Sequence, residues 1–284
     1  MDKTRTNADG RVYMAGLSRF IAVLRLFDTG IPGNAESWTV AAMATTLGAP
    51  ASTLYRTVRE LTKAGFLEQS GEAGYRLGPA FIEFERLLRL NDPLVRYGHA
   101  IVEDVLRQAG IPCIVLMARL YNGEVMCVAD ETAPGTTFRS SYERGRPMQM
   151  TRGATSKVIL ANLPSRELTR LIGPRADTVD LRKELQAIRR AGFMATASEI
   201  DQGLTGIAAP VVVPEAGITA SLTLVCQEET LDEASRRRLV LLVVSAASLL
   251  AEDIRRSVRK PEPPTPAKKP PAKAAPAQPR QKLR

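Results

Sequence analysis

The chain has 284 residues, 44% hydrophobic and 24% charged, with 39 Lys and Arg against 30 Asp and Glu for a formal net charge of +9. That apolar share excludes a chain disordered throughout, and the length predicts two domains, each able to bury a core. No apolar run approaches the roughly 20 residues of a membrane span, and residues 1–12 lack the apolar stretch of a secretory signal, so the expected location is the cytoplasm, with no membrane partner.

The charge is unevenly placed. Residues 259–284 carry +7 of the +9, together with eight of the 19 prolines and no aromatic residue. Such a Pro/Ala/Lys-rich segment cannot offset its ordering entropy by apolar burial and is expected to be a disordered tail. It reads equally as a solubilising tail or as an arm that contacts phosphates without folding.

Residues 1–14 are expected to be a flexible N-terminus. From there the elements follow in order. Phe20, Val23, Leu24 and Phe27 share one face of a helix predicted over 18–28. Gly30, Pro32, Gly33 and Asn34 predict a loop. A short helix over 39–47 should end at Gly48 in a left-handed cap. Pro50 suits the first turn of the next helix, which runs to Ala64 with Leu54, Val58 and Leu61 inward. Gly65 closes it, and strands over 66–69 and 75–77 form a hairpin.

Helix, helix–short turn–helix, hairpin is the order of a winged helix-turn-helix, placed at 15–78; the alternative is a plain helical bundle with a polar face. The outward face of the third helix carries Ser52, Thr53, Tyr55, Arg56 and Arg59, side chains suited to base edges and phosphates. Arg76 at the wing base either reaches a DNA backbone or pairs with Glu68 or Glu72, and Arg19 is a further candidate.

A linker helix is predicted at 79–90, and Asn91-Asp92-Pro93 caps another that runs to Gln108. Strands at 111–119 and 124–130 are joined by Asn122-Gly123, a strong hairpin turn. A strand over 137–142 is expected next, then helices at 154–162, 165–172 and 180–191. Strands at 193–199, 207–213 and 218–225 and a long helix at 232–258 complete an α/β domain over 91–258 with mostly antiparallel strands. The fold class is therefore α+β.

Cys113, Cys127 and Cys226 are too scattered for a metal site, no C-x-x-C occurs, and His99 is the one histidine. The cysteines are expected as small core residues on or beside strands, His99 as structural or solvated, and no metal or cofactor is expected. Ser156-Lys157 could be read as a nucleophile and its base, but neighbours at a helix start diverge by about 100°. A Gly-x-Ser-x-Gly elbow and a P-loop are absent, which disfavours an enzyme.

Three stretches resemble the IclR family of bacterial transcriptional regulators. LGAPASTLYRTVRELTKAGFLE (47–68) follows its recognition-helix pattern, and GYRLG (74–78) its wing exit. LRKELQAIRRAGFMATASEIDQGLTGIAAPV (181–211), preceded by SKVILANLPSREL (156–168), follows its effector-domain signature. The resemblance covers 17–258 and implies a GAF-like C-terminal domain, a homodimer or homotetramer, a palindromic double-stranded DNA operator and a small-molecule effector, often an organic or aromatic acid. It also implies that TRGATSK (151–157) borders the effector pocket. Gly153, Ala154 and Thr155 would then donate backbone N–H groups to a carboxylate, with Arg139 or Arg152 as counter-charge. Leu204, Thr205 and Gly206 would form one wall, and Thr223 would offer a hydroxyl; the alternative is an ordinary helix cap and strand. Two positions depart from the family pattern: Ala51 stands where a Lys is common, and Gly206 where a Cys is common. The competing readings are an architectural DNA-binding protein that relies on the tail, and an enzyme that uses the second domain.

Overall fold

The computed structural model describes residues 5–6, 12–13, 16–28, 35–173 and 179–259; the expected loop at 30–34 and the tail at 260–284 lie outside them. The chain divides into two compact units, Met1–Asp92 and Pro93–Arg284.

In the first unit, β1 (Arg5–Thr6) and β2 (Val12–Tyr13) pair antiparallel, a ladder not expected at 1–14. Helix α1 (Gly16–Arg25) is followed by β3 (Trp38–Thr39), α2 (Val40–Leu47), α3 (Ala51–Lys63), β4 (Leu67–Ser70), β5 (Gly74–Leu77) and α4 (Ala80–Asn91). Thr39 caps α2 by accepting from the Ala42 N–H at 3.2 Å. Gly48 ends α2 at φ 59°, the left-handed conformation foreseen for it. Pro50 lies one residue outside α3, and its carbonyl accepts from the Thr53 and Leu54 N–H groups.

Val23, Phe27, Trp38, Met43, Leu54, Val58, Leu61 and Leu67 make the core of this unit. Strand β3 was not foreseen. It pairs with β5, so the wing has three strands in the order β3-β5-β4. Trp38, the only tryptophan, fixes it: its indole N–H reaches the Leu26 carbonyl at 2.8 Å. Phe66 stacks on Phe84 with centroids 5.6 Å apart and meets Phe81 edge-on at 5.5 Å, seating α4 on the wing hairpin.

The second unit is built on a six-stranded sheet. It contains α5 (Pro93–Ala109), β6 (Cys113–Tyr121), β7 (Glu124–Thr132), β8 (Pro147–Met148), α6 (Gly153–Asn162), α7 (Ser165–Ile172), α8 (Val179–Ala191), β9 (Met194–Ala197), β10 (Leu204–Val213), β11 (Ile218–Gln227) and α9 (Glu233–Arg259). All strands pair antiparallel in the order β8-β7-β6-β11-β10-β9. Asn122 and Gly123 both take positive φ, as their two-residue hairpin requires.

Side chains alternate across the sheet. Ile207, Ala209, Val211, Leu222 and Leu224 share one core with Val102, Val105, Val243 and Leu250 of α5 and α9. The other face meets α6 and α8 through Leu116, Ala208, Val225, Ile159, Val158 and Leu185. Residues 137–142 are not a strand. They run as irregular chain in which Tyr142 is buried, and the short strand falls instead at β8.

The three thiols are free and buried, as expected. Burial pushes the Cys113 thiol up to about 11 and those of Cys127 and Cys226 up to about 12. Among the described residues no group of three or more His, Cys, Asp or Glu could hold a metal, and no helix is long and apolar enough to cross a membrane.

Candidate functional site

Two places gather the predicted residues. The first is the outward side of α3. Leu54, Thr57, Val58 and Leu61 point inward, which leaves Ser52, Tyr55, Arg56 and Arg59 on the exposed side. Those four line one open groove with Thr62, Lys63, Gln69 and Tyr75. Lys63 ends α3, and Gln69 and Tyr75 are register partners on the wing. The sequence pattern missed these three and Thr62; for Gln69 and Tyr75 the reason is that the facing of the wing follows from strand register. Thr53 is half-buried, does not line the groove, and accepts from the Thr57 hydroxyl through its carbonyl. Arg76 takes the alternative left open for it: it lies opposite Glu68 in the ladder, and its Nε donates to that carboxylate at 2.7 Å.

A helix of 13 residues is about 20 Å long, enough to lie along a major groove. Arginine and tyrosine on that side can donate to base edges and phosphates.

The second place is a cavity of about 30 Å³ between the N-terminus of α6, the sheet, and the segments 140–142 and 199–201. Gly153, Ala154, Thr155, Leu204 and Gly206 of the predicted set line it. Gly153 opens α6 at φ +79°, and a Cβ there would fall 2.7 Å from Ile200 Cγ1. Glycine therefore meets a backbone and a space requirement together. A Cβ on Gly206 would find Thr196 Oγ1 and Ala154 Cβ at 3.8 and 3.9 Å, ordinary contact, so Gly206 leaves usable space in the wall.

The polar groups around the cavity are tied to one another. The Tyr142 and Ser156 hydroxyls lie 2.8 Å apart. Burial raises the Tyr142 pKa and the Glu199 charge adds to this, against hydrogen bonds from Ser156 and Thr155. Thr196 Oγ1 accepts from the Ala154 N–H at 3.3 Å, and the Asp201 carboxylate accepts from the Ser141 N–H at 2.9 Å and from its hydroxyl.

Behind the wall Lys157, its side chain only 11% exposed, donates to Glu184 at 2.8 Å and Glu199 at 2.9 Å. Burial works against its charge, but the two carboxylates outweigh burial and hold its pKa above the ordinary lysine value. Ser156 and Lys157 thus serve different partners and do not form a nucleophile–base pair.

Four predicted ligand residues fall elsewhere. Thr205 shares its face of β10 with Ile207 and Ala209, toward α5 and α9, because strand side chains alternate. It cannot form a wall with Leu204 and Gly206, and its buried Oγ1 has no hydrogen-bond partner among the described residues. Thr223 is on the correct face, but it does not line the cavity and its hydroxyl accepts from that of Thr155 at 3.1 Å. Arg139 is exposed in an outer groove with Asp201, Gln202, Glu228 and Glu229. Arg152 is also exposed, and its guanidinium donates to the Glu199 carbonyl at 2.6 Å. The expected cationic counter-charge is absent from the cavity lining, which instead includes Tyr142, Glu199, Ile200 and Asp201. Sequence reasoning missed these four: their approach to α6 comes from irregular chain, which has no periodicity to read.

Comparison with known proteins agrees with this architecture. The IclR helix-turn-helix domain matches residues 16–71, and the family described as bacterial transcriptional regulator IclR C-terminal matches residues 92–252. The HTH-type transcriptional regulator KipR of Bacillus subtilis is 24% identical over 198 residues, covering 66% of this chain and 78% of that protein. The HTH-type transcriptional regulator TtgV of Pseudomonas putida is 25% identical over 214 residues, covering 70% and 78%.

Among solved structures, an IclR-type regulator from Alicyclobacillus acidocaldarius superposes with a TM-score of 0.67 at 21% identity, covering 84% of this chain and 99% of that one. An IclR homologue from Microbacterium hydrocarbonoxydans complexed with 4-hydroxybenzoate superposes with a TM-score of 0.66 at 22% identity, covering 86% and 100%. With a helix-turn-helix match in the first unit and a C-terminal match over more than half of its length, the chain belongs to the IclR family of bacterial transcriptional regulators.

Proposed function

We propose that this regulator binds a pseudo-palindromic DNA operator as a dimer through α3, under the control of a small molecule held in the α6 cavity. The observation that carries the DNA half is the α3 groove, where Ser52, Tyr55, Arg56 and Arg59 are exposed together beside the wing residues Gln69 and Tyr75. Arg56 is the base-edge candidate and Arg59 the phosphate candidate.

The dimer is supported by α4. Ile82, Leu88 and Leu90 are 73%, 62% and 53% exposed, apolar area around the helix that gains by burial against a second copy. The effector half is supported by the cavity at the start of α6 and by the ligand in the Microbacterium hydrocarbonoxydans homologue. The protein acts in the cytoplasm and catalyses no reaction; its relatives are regulators.

Genomic fragments selected by the purified protein, then footprinted, test this reading. The expected footprint has two protected half-sites in inverted repeat, with centres about 34 Å or a multiple of that apart. A protected region without two-fold symmetry contradicts it.

A further inference from the structure

The polar character of the cavity says more about its occupant than its position does. The acidic side chains among its lining residues are Glu199 and Asp201, and no basic residue lines it. Lys157 does not offset them for a ligand, because one ammonium already serves two carboxylates, Glu184 and Glu199. Arg152 lies outside the lining, with its guanidinium on the Glu199 carbonyl, and Arg139 belongs to the outer groove. Burial raises the pKa of the Tyr142 phenol, which lines the cavity, and the Glu199 charge adds to it. The Ala154 N–H at the start of α6 is spent on Thr196. A carboxylate placed here would face like charge inside a poorly solvated space. A hydroxyl would donate to Glu199, whose carboxylate already accepts from Lys157, while Ile200, Leu204 and Val225 cover an apolar body.

We infer that the effector held in this cavity is a small uncharged molecule with a hydroxyl donor, an alcohol or phenol, and that organic anions are discriminated against by Glu199 and Asp201. This rests on the reading of the cavity as the effector site. The space of about 30 Å³ holds one or two waters, whereas a cavity that takes up benzene measures about 150 Å³. An occupant of that size therefore displaces Ile200, which packs on Gly153 and belongs to the same short segment as Glu199 and Asp201.

Matched pairs that share a skeleton test the inference on the full chain by calorimetric titration: isobutanol with isobutyrate, benzyl alcohol with benzoate, 2-phenylethanol with phenylacetate. The alcohol of at least one pair should bind about tenfold or more tightly than its carboxylate. In Glu199→Gln that ratio should fall to below about threefold, with the alcohol still bound. Gly206→Leu, which fills the cavity, should abolish binding, and Gly206→Ala serves as the milder variant if the leucine disturbs the fold. Carboxylates that bind as tightly as their alcohols overturn the inference and leave the effector site standing. Binding that both Gly206 variants leave unchanged, or no binding by any compound, overturns the site reading and the inference with it.

Discussion

Gly153 and Gly206 line the same cavity and should answer differently to the same added methyl. At Gly153 the left-handed φ and the 2.7 Å approach to Ile200 both oppose alanine. Gly153→Ala should cost about 1–3 kcal/mol. Gly206 has ordinary φ and open contact, so Gly206→Ala should stay within about 1 kcal/mol of the parent. Urea unfolding followed by circular dichroism checks both, and equal losses would contradict the geometry. Five of the nine ligand candidates line the cavity, and the other four lie off it for separate causes. Thr205 lies off the cavity by strand parity: one register step turns a side chain from the cavity to the α5–α9 core. Arg139 and Arg152 are near the cavity in sequence but exposed and outside its lining. Tyr142 and Glu199 were each placed at the end of an expected strand and Asp201 in no element, whereas all three lie in irregular chain, which tertiary contacts alone position.

Helices and strands were more legible. Those with one apolar side declared themselves by period, as in α3 with Leu54, Val58 and Leu61, or α8 with Leu185 and Ile188. Helix α6 has no polar side, since every residue from Gly153 to Ala161 is buried, so its position came from the glycine and hydroxyl start rather than from periodicity. Strand β3, two residues long, is too short to show alternation. Helix α4 was foreseen as amphipathic, yet all six of its large apolar side chains remain exposed. If a second copy covers them, Ile82→Glu with Leu88→Glu should shift the chain from dimer to monomer in light scattering. Operator affinity should then fall by at least about tenfold, because each half-site would be bound singly. A double variant that keeps the parent mass would remove α4 from the interface.

For the molecule as a whole, the net charge is a poor guide to DNA binding, because +7 of the +9 lies in 259–284 and +2 in all the rest. Specificity is therefore assigned to the α3 groove, and the basic segment is given only the non-specific, salt-dependent share of affinity. Removal of 261–284 should preserve operator specificity while the dependence of log K on log salt becomes shallower. Collapse of specific binding would favour the architectural reading instead. If α3 reads the operator, that reading depends above all on Arg56. Fluorescence anisotropy on the selected operator should show Arg56→Ala binding at the level of unrelated DNA, with circular dichroism and thermal midpoint unchanged. Parent-like affinity and discrimination in that variant would contradict the account.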